Sequence, residues 1–211
     1  MKMGDKFQQP VESVAGVLPI FPHDHFAKPQ GFVQVNKYQH GPLGRSLVEC
    51  IDLGENLVVN LARDIMSRML SGSVQDPTPA WPKVTLTNAS HPSYPEAEID
   101  DPNDLFITQM RWGTGGHDPL NPATPIPPTS SDEHLLNPLV DPLFKSVIVD
   151  YPAVFQVRFS ATLEQSEANG ETISEVGLFT NQHELLFSRK TFGILTKSSD
   201  FSFEFRYTII F

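Results

Sequence analysis

The apolar positions fall into short alternating runs. The cleanest is the final one, Phe201-Ser-Phe-Glu-Phe-Arg-Tyr-Thr-Ile-Ile-Phe211. Phe201, Phe203, Phe205, Tyr207 and Ile209 share one face, while Ser202, Glu204, Arg206 and Thr208 share the other. A period of two predicts a strand with one face in a core and one in water. Phe211 is expected in register with the apolar face. An unpaired edge this aromatic would invite aggregation, so the strand should lie paired within a sheet. Similar runs occupy 153–163 and 173–179, and Asn169-Gly170 supplies a tight corner between them.

Other strand patterns lie at 32–38, 47–52, 84–87, 105–112, 144–149 and 185–192. Turn chemistry at Gly41-Pro-Leu-Gly44 joins the first two into a hairpin. The period changes only at 57–70. There Leu57, Leu61, Ile65 and Met69 recur one turn apart, and Val58, Ala62 and Met66 widen the stripe. Asn56 or Asn60 is placed to cap the start of such a helix, and Gly72 to end it. The pattern as a whole predicts a mainly β fold: an antiparallel β-sandwich of about eight strands with one packed α-helix.

The 19 prolines are nearly all outside these runs. Pro10, Pro19, Pro22 and Pro29 break every element before residue 30, so residues 1–30 read as an extended arm. Residues 31–211 then form the β domain, with Pro-rich loop insertions at 73–104 and 117–141. The formal net charge is −10, with no run of Lys and Arg. That balance argues against a general nucleic-acid surface and against an anionic membrane surface. Cys50 is the single cysteine, which excludes an intrachain disulfide. The polar start, Met1-Lys-Met-Gly-Asp-Lys, lacks the apolar stretch of a signal peptide, so synthesis in the cytoplasm is expected.

Catalytic or ligand-binding patterns are weak. His23 and His25 would share a strand face, but no further ligand lies at a metal-site spacing. Gly113-Thr-Gly-Gly116 follows a strand as a phosphate loop would, yet prolines follow it instead of a lysine and a helix. Gly113 and Gly115 therefore read as a tight turn or a close backbone contact. The acidic pairs Asp100-Asp101 and Asp132-Glu133 read as solvated loop charge. The chain has no nucleophile elbow and no catalytic Cys–His pairing. No catalytic residue, metal or cofactor is expected.

Several pieces recur in a characteristic order. They are the 56–72 segment, Ile107-Thr-Gln-Met-Arg-Trp-Gly-Thr-Gly-Gly116, Asp132-Glu-His-Leu135, Phe159-Ser-Ala-Thr-Leu163, Ile173-Ser-Glu-Val-Gly-Leu-Phe179, Phe187-Ser-Arg-Lys-Thr-Phe192, Lys197 and the terminal aromatic run. The set spans about 47–211 and resembles a family of structural proteins of tailed bacteriophage virions, of the collar, neck or tail-fibre-attachment kind. The element Glu175, Gly177, Leu178, Phe179 also resembles the attachment domains of phage tail fibres.

The resemblance implies a virion component present in multiple copies at the neck, collar or baseplate. Its implied partners are copies of itself and other virion proteins: portal or connector, tail or fibre proteins. A tail-fibre adaptor or fibre-base protein is the second expectation. A carbohydrate-binding module using Trp81, Tyr94 or Trp112 is the third. The residues themselves suggest a holding role. Gly177 inside a strand marks a bulge or a close approach by another backbone. Glu175 is placed to bond backbone donors or to pair with Arg189, and Lys197 to close the turn before the last strand.

Overall fold

In a computed structural model the described residues are 29–60, 62–63, 66, 84–86, 97–99, 106–180 and 185–211. The expected arm at 1–30 lies outside them except for its last two residues. So do His23, His25, Trp81, His91, Tyr94, Asp100 and Asp101, and most of the 73–104 insertion.

The strands are β1 (Gln30–Gly41), β2 (Gly44–Val58), β3 (Val84–Leu86), β4 (Ala97–Ile99), β5 (Ile107–Gly113), β6 (His117–Asp118), β7 (Asn121–Pro125), β8 (Lys145–Ser146), β9 (Ile148–Asp150), β10 (Gln156–Leu163), β11 (Thr172–Thr180), β12 (Leu186–Thr196) and β13 (Phe201–Ile210). Nine of them form one antiparallel sheet in the order β8-β5-β11-β12-β2-β1-β13-β10-β9. The fold is mainly β, and this sheet nearly closes on itself. Its two end strands, β8 and β9, belong to one stretch of chain interrupted only by Val147. That stretch pairs with β5 through Lys145 and Ser146, then with β10 through Ile148–Asp150. The Val147 amide still bonds Thr108 O at 3.0 Å, on the β5 side.

The opposite corner is made by β2. Most of β2 pairs with β1, but Leu57 and Val58 pair with Arg189 and Ser188 of β12. The bend falls just before, at Gly54, whose φ of +75° suits glycine. The Asp52 carboxylate accepts the Gly54 amide at 2.8 Å and fixes the turn. A strand that switches partners at a bulge or bend makes a corner in a sheet.

Between the facing parts lies the apolar core. Trp112 of β5 meets Phe205 of β13 with ring centroids 5.5 Å apart, in a tilted arrangement. Phe192 reaches the same ring from β12. The Tyr207 hydroxyl, fully buried, donates to Ser188 Oγ at 3.0 Å. Ser188 in turn donates to Leu57 O and accepts from Asn56 Nδ2, so this buried polar group has all its bonds. Each large side chain buried here contributes about 1.5–3 kcal/mol relative to exposure. The terminal strand is central, pairing with β1 on one side and β10 on the other.

Several elements differ from the sequence reading. Leu57 and Val58 are strand, and Asn56 lies within β2 with its side chain on Ser188, so the helix pattern starts too early. Asn60, Ala62, Arg63 and Met66 are helical, with Ala62 buried and Met66 packed against the core. The rest of 57–70 lies outside the described residues. The 117–141 insertion carries the small β6–β7 hairpin, and Val84–Leu86 pairs with Ala97–Ile99 as a separate two-stranded sheet. Residues 153–155 form a turn and not a strand start, because Phe155 adopts φ +61°. Phe211 lies beyond β13 and is exposed.

Candidate functional site

β11 carries Glu175, Gly177, Leu178 and Phe179, all buried. It lies between β5 and β12, so Glu175 stands opposite Gly113 on one side and Thr191 on the other. Gly177 stands between Arg111 and Arg189 in regular pairing. The register shifts in β11 fall on either side of it, between Ile173 and Glu175 and between Leu178 and Phe179. Close approach to Gly177 comes from side chains and not from another backbone. A Cβ there would lie 2.9 Å from Leu186 Cδ1 and 2.9 Å from Phe179 Cε2.

The Glu175 carboxylate is wholly buried and accepts five hydrogen bonds. Oε1 accepts from Gly115 N at 3.2 Å and Asn137 N at 2.9 Å. Oε2 accepts from Leu136 N at 3.1 Å, and from Arg189 Nε and Nη2 at 3.0 and 2.7 Å. The guanidinium, 2% exposed, extends its remaining arm to Asp132 Oδ2 at 2.6 Å. Asp132 is tied locally as well, accepting from Thr129 N and Thr129 Oγ1 at 3.0 and 2.6 Å. Burial pushes the Asp132 carboxyl up, but the Thr129 and Arg189 bonds outweigh it and hold the group below the usual carboxylate range.

The glycines explain how loop and sheet come this close. A Cβ on Gly113 would sit 2.5 Å from Glu175 Oε1 and 2.6 Å from Asn137 O. One on Gly116 would sit 2.1 Å from Ser174 O. Backbone bonds from Thr114 N to Asn137 O and from Leu139 N to Trp112 O complete the seam. Ser174 Oγ takes the Gly116 amide and bonds His117 Nδ1, both at 2.9 Å. The cluster is thus a clamp. One carboxylate, one guanidinium and one loop aspartate fasten the 113–116 turn and the 129–137 segment to the middle of the sheet.

Glu175, Arg189, Gly113 and Gly115 therefore meet in one place; Lys197 lies elsewhere. Lys197 is 1% exposed and donates to Ser198 O at 2.9 Å and Asn169 Oδ1 at 3.3 Å. Its backbone pairs with Gly170 and Glu171, joining the 164–170 turn to the entry of β13. Burial pushes its ammonium down, with Glu167 and Glu164 opposing. Sequence reasoning missed the Asp132–Arg189 pair and the amides of Leu136 and Asn137. Asp132 follows Thr129 by three residues, a local bonding spacing that could have separated it from solvated loop charge.

A cleft of about 350 Å³ lies where the 145–150 stretch crosses, lined by Lys145, Ser160, Thr162, Glu164 and Glu204 among others. Lys145 is paired with Glu167, and Glu204 accepts from Tyr38 and Asn36. Trp112 is fully buried and offers no face for stacking a sugar. Among the described residues no cluster of His, Cys, Asp and Glu is placed to hold a metal ion, and no helix is long and apolar enough to cross a membrane. Compared with known proteins, the chain matches no family model, no curated protein and no solved structure.

Proposed function

We propose that this chain is a non-catalytic structural component of a tailed-phage virion. It assembles in multiple copies at the neck, collar or baseplate and holds neighbouring subunits together. The observation that carries this reading is the clamp. Residues quoted separately in the family resemblance, namely the Gly113–Gly116 turn, Asp132, Glu175 and Arg189, converge on one buried knot. Its five bonds to Glu175 are all internal. Such a device rigidifies a body and presents loops in fixed positions.

The body is a β-sandwich whose two layers share the strands at both corners. Its implied partners are copies of itself and portal, connector, tail or fibre proteins. Mass spectrometry of purified particles, followed by a particle map, tests the reading. We expect the chain in stoichiometric multiples at a ring position of the neck or baseplate. Its absence from washed particles would overturn the assignment.

A further inference from the structure

Lys197 is a buried charge that the clamp leaves unused. It is 1% exposed, yet among the described residues no carboxylate lies within ion-pair distance of Nζ. Its three acceptors are all neutral: Ser198 O at 2.9 Å, Asn169 Oδ1 at 3.3 Å and Gln165 O at 3.5 Å. The Phe203 ring centroid lies 5.9 Å from Nζ. An ammonium buried without a counter-ion is costly, and burial accordingly pushes this group down, towards the neutral amine. Desolvation of this kind is one of the ways a lysine is made nucleophilic.

An electrophile stands within reach. Asn169 Oδ1 accepts from Nζ, so the amide carbon, one bond of about 1.23 Å further on, lies within about 4.5 Å of the amine. Rotation of the lysine side chain brings the two atoms to the separation of about 3–3.5 Å at which reaction occurs. The amide is held in place, because Asn169 Nδ2 donates to Gln165 O at 2.8 Å. A rival nucleophile is restrained. In an Asn-Gly turn the following backbone nitrogen can attack the same amide, but here the Gly170 N–H donates to Lys197 O at 2.9 Å. Lys197 thus engages the backbone nitrogen with its carbonyl while it presents its own amine. The bond from Lys197 N to Glu171 O, at 3.0 Å, fixes the two segments side by side.

We propose that Lys197 and Asn169 become joined by a side-chain amide bond that the protein makes on itself once folded. Neutral Nζ attacks Asn169 Cγ. The Nζ–Cγ bond forms, the Cγ–Nδ2 bond breaks, and Nδ2 leaves as ammonia. One proton lost by Nζ goes to the departing nitrogen, and no oxidant or co-reactant is needed. Glu167 and Glu164, whose charges act on this amine, are the carboxylates available to carry that proton. The bond encloses β11 and β12 and fastens the 164–170 turn to the entry of β13. It holds whichever assembly the chain enters, so it stands apart from the virion reading.

Intact-mass spectrometry of the full chain, purified and then denatured, tests this. The expected mass is that of the sequence less one ammonia, and digestion should release a branched peptide joining Asn169 to Lys197. Asn169→Ala, at an exposed position, and Lys197→Arg, which keeps the cation without the amine, should each show the full mass of its own sequence. Replacing Glu164 and Glu167 together by Gln should leave most chains unlinked, with the circular dichroism spectrum unchanged. A wild-type chain that keeps the full sequence mass after prolonged incubation overturns the bond. So does a gain of one mass unit at Asn169, the mark of hydrolysis through Gly170, or an ammonia loss that persists in Lys197→Arg.

Discussion

Glu175→Ala is the sharpest perturbation of the clamp. It removes the acceptor of three backbone amides and of two guanidinium bonds in one step. Arg189, 2% exposed, is left with Asp132 alone. Breaking a buried ion pair by deleting one partner costs about 3–5 kcal/mol. Each stranded amide adds about 1–3 kcal/mol where water does not reach it. Water will enter the space left by the carboxylate, so the lower figures apply: about 3 kcal/mol for the ion pair and about 1 kcal/mol for each of the three amides, a sum of about 6 kcal/mol. That is a large part of a typical stability of roughly 5–15 kcal/mol.

Urea unfolding followed by tryptophan fluorescence measures it, since Trp112 is in the core beside this seam. Glu175→Gln keeps one acceptor oxygen and should cost less, yet still more than about 2 kcal/mol, because its amide donors face Arg189. Combining Glu175→Leu with Arg189→Met should recover part of the loss, since it removes the stranded guanidinium and leaves Asp132, at the loop surface, with its Thr129 bonds. A Glu175→Ala variant losing under about 1 kcal/mol would show that loop and sheet do not depend on the carboxylate, and the clamp would be decorative.

Gly116→Ala should be far more damaging than Gly170→Ala: the first drives a Cβ to within 2.1 Å of Ser174 O, whereas the second meets open space and suffers only from its φ of +88°. Urea midpoints should separate them, with Gly170→Ala costing about 1 kcal/mol; equal losses would contradict the close approach. Tyr207→Phe should cost about 1 kcal/mol by removing a buried hydroxyl bond to Ser188. Burial also pushes the Tyr207 phenol well above its ordinary range, so phenolate absorbance from this residue should appear only as the fold opens at high pH. In acid, Asp132, Glu167 and Glu204 act together. Burial pushes each carboxyl up, but hydrogen bonds to Thr129 and Arg189, to Lys145, and to Tyr38 and Asn36 outweigh it and hold each below its ordinary value. A folded value below the unfolded one gives stability that is present above about pH 4 and is lost as pH falls through the folded values. Asp132→Asn should flatten that acid limb in a series of urea titrations.

The strands were legible wherever one face was wet. β10 and β13 alternate apolar with polar, and their buried faces follow from the pattern. β11 and β12 are buried on both faces, with the polar side chains of Ser174, Glu175, Ser188 and Arg189 inside, so alternation there says little about direction. Leu57 and Val58 carry a helical spacing, yet the backbone of β12 captures them first; a long-range pairing overrides a local period. The Glu175–Arg189 partnership was suggested by residue type. Asp132 was not, because its partner lies 57 positions away, beyond the reach of any local pattern.

The placement of β1 matters for anything pulled through the segment that precedes it. β1 is flanked along its length by β13, with ten register pairs, and by β2, with eleven. Tension entering at Gln30 and directed along the strand must slide both ladders at once, because the bonds lie across the pull and share the load in parallel. A tether rooted this way resists extraction far better than one peeled from an edge, one bond at a time.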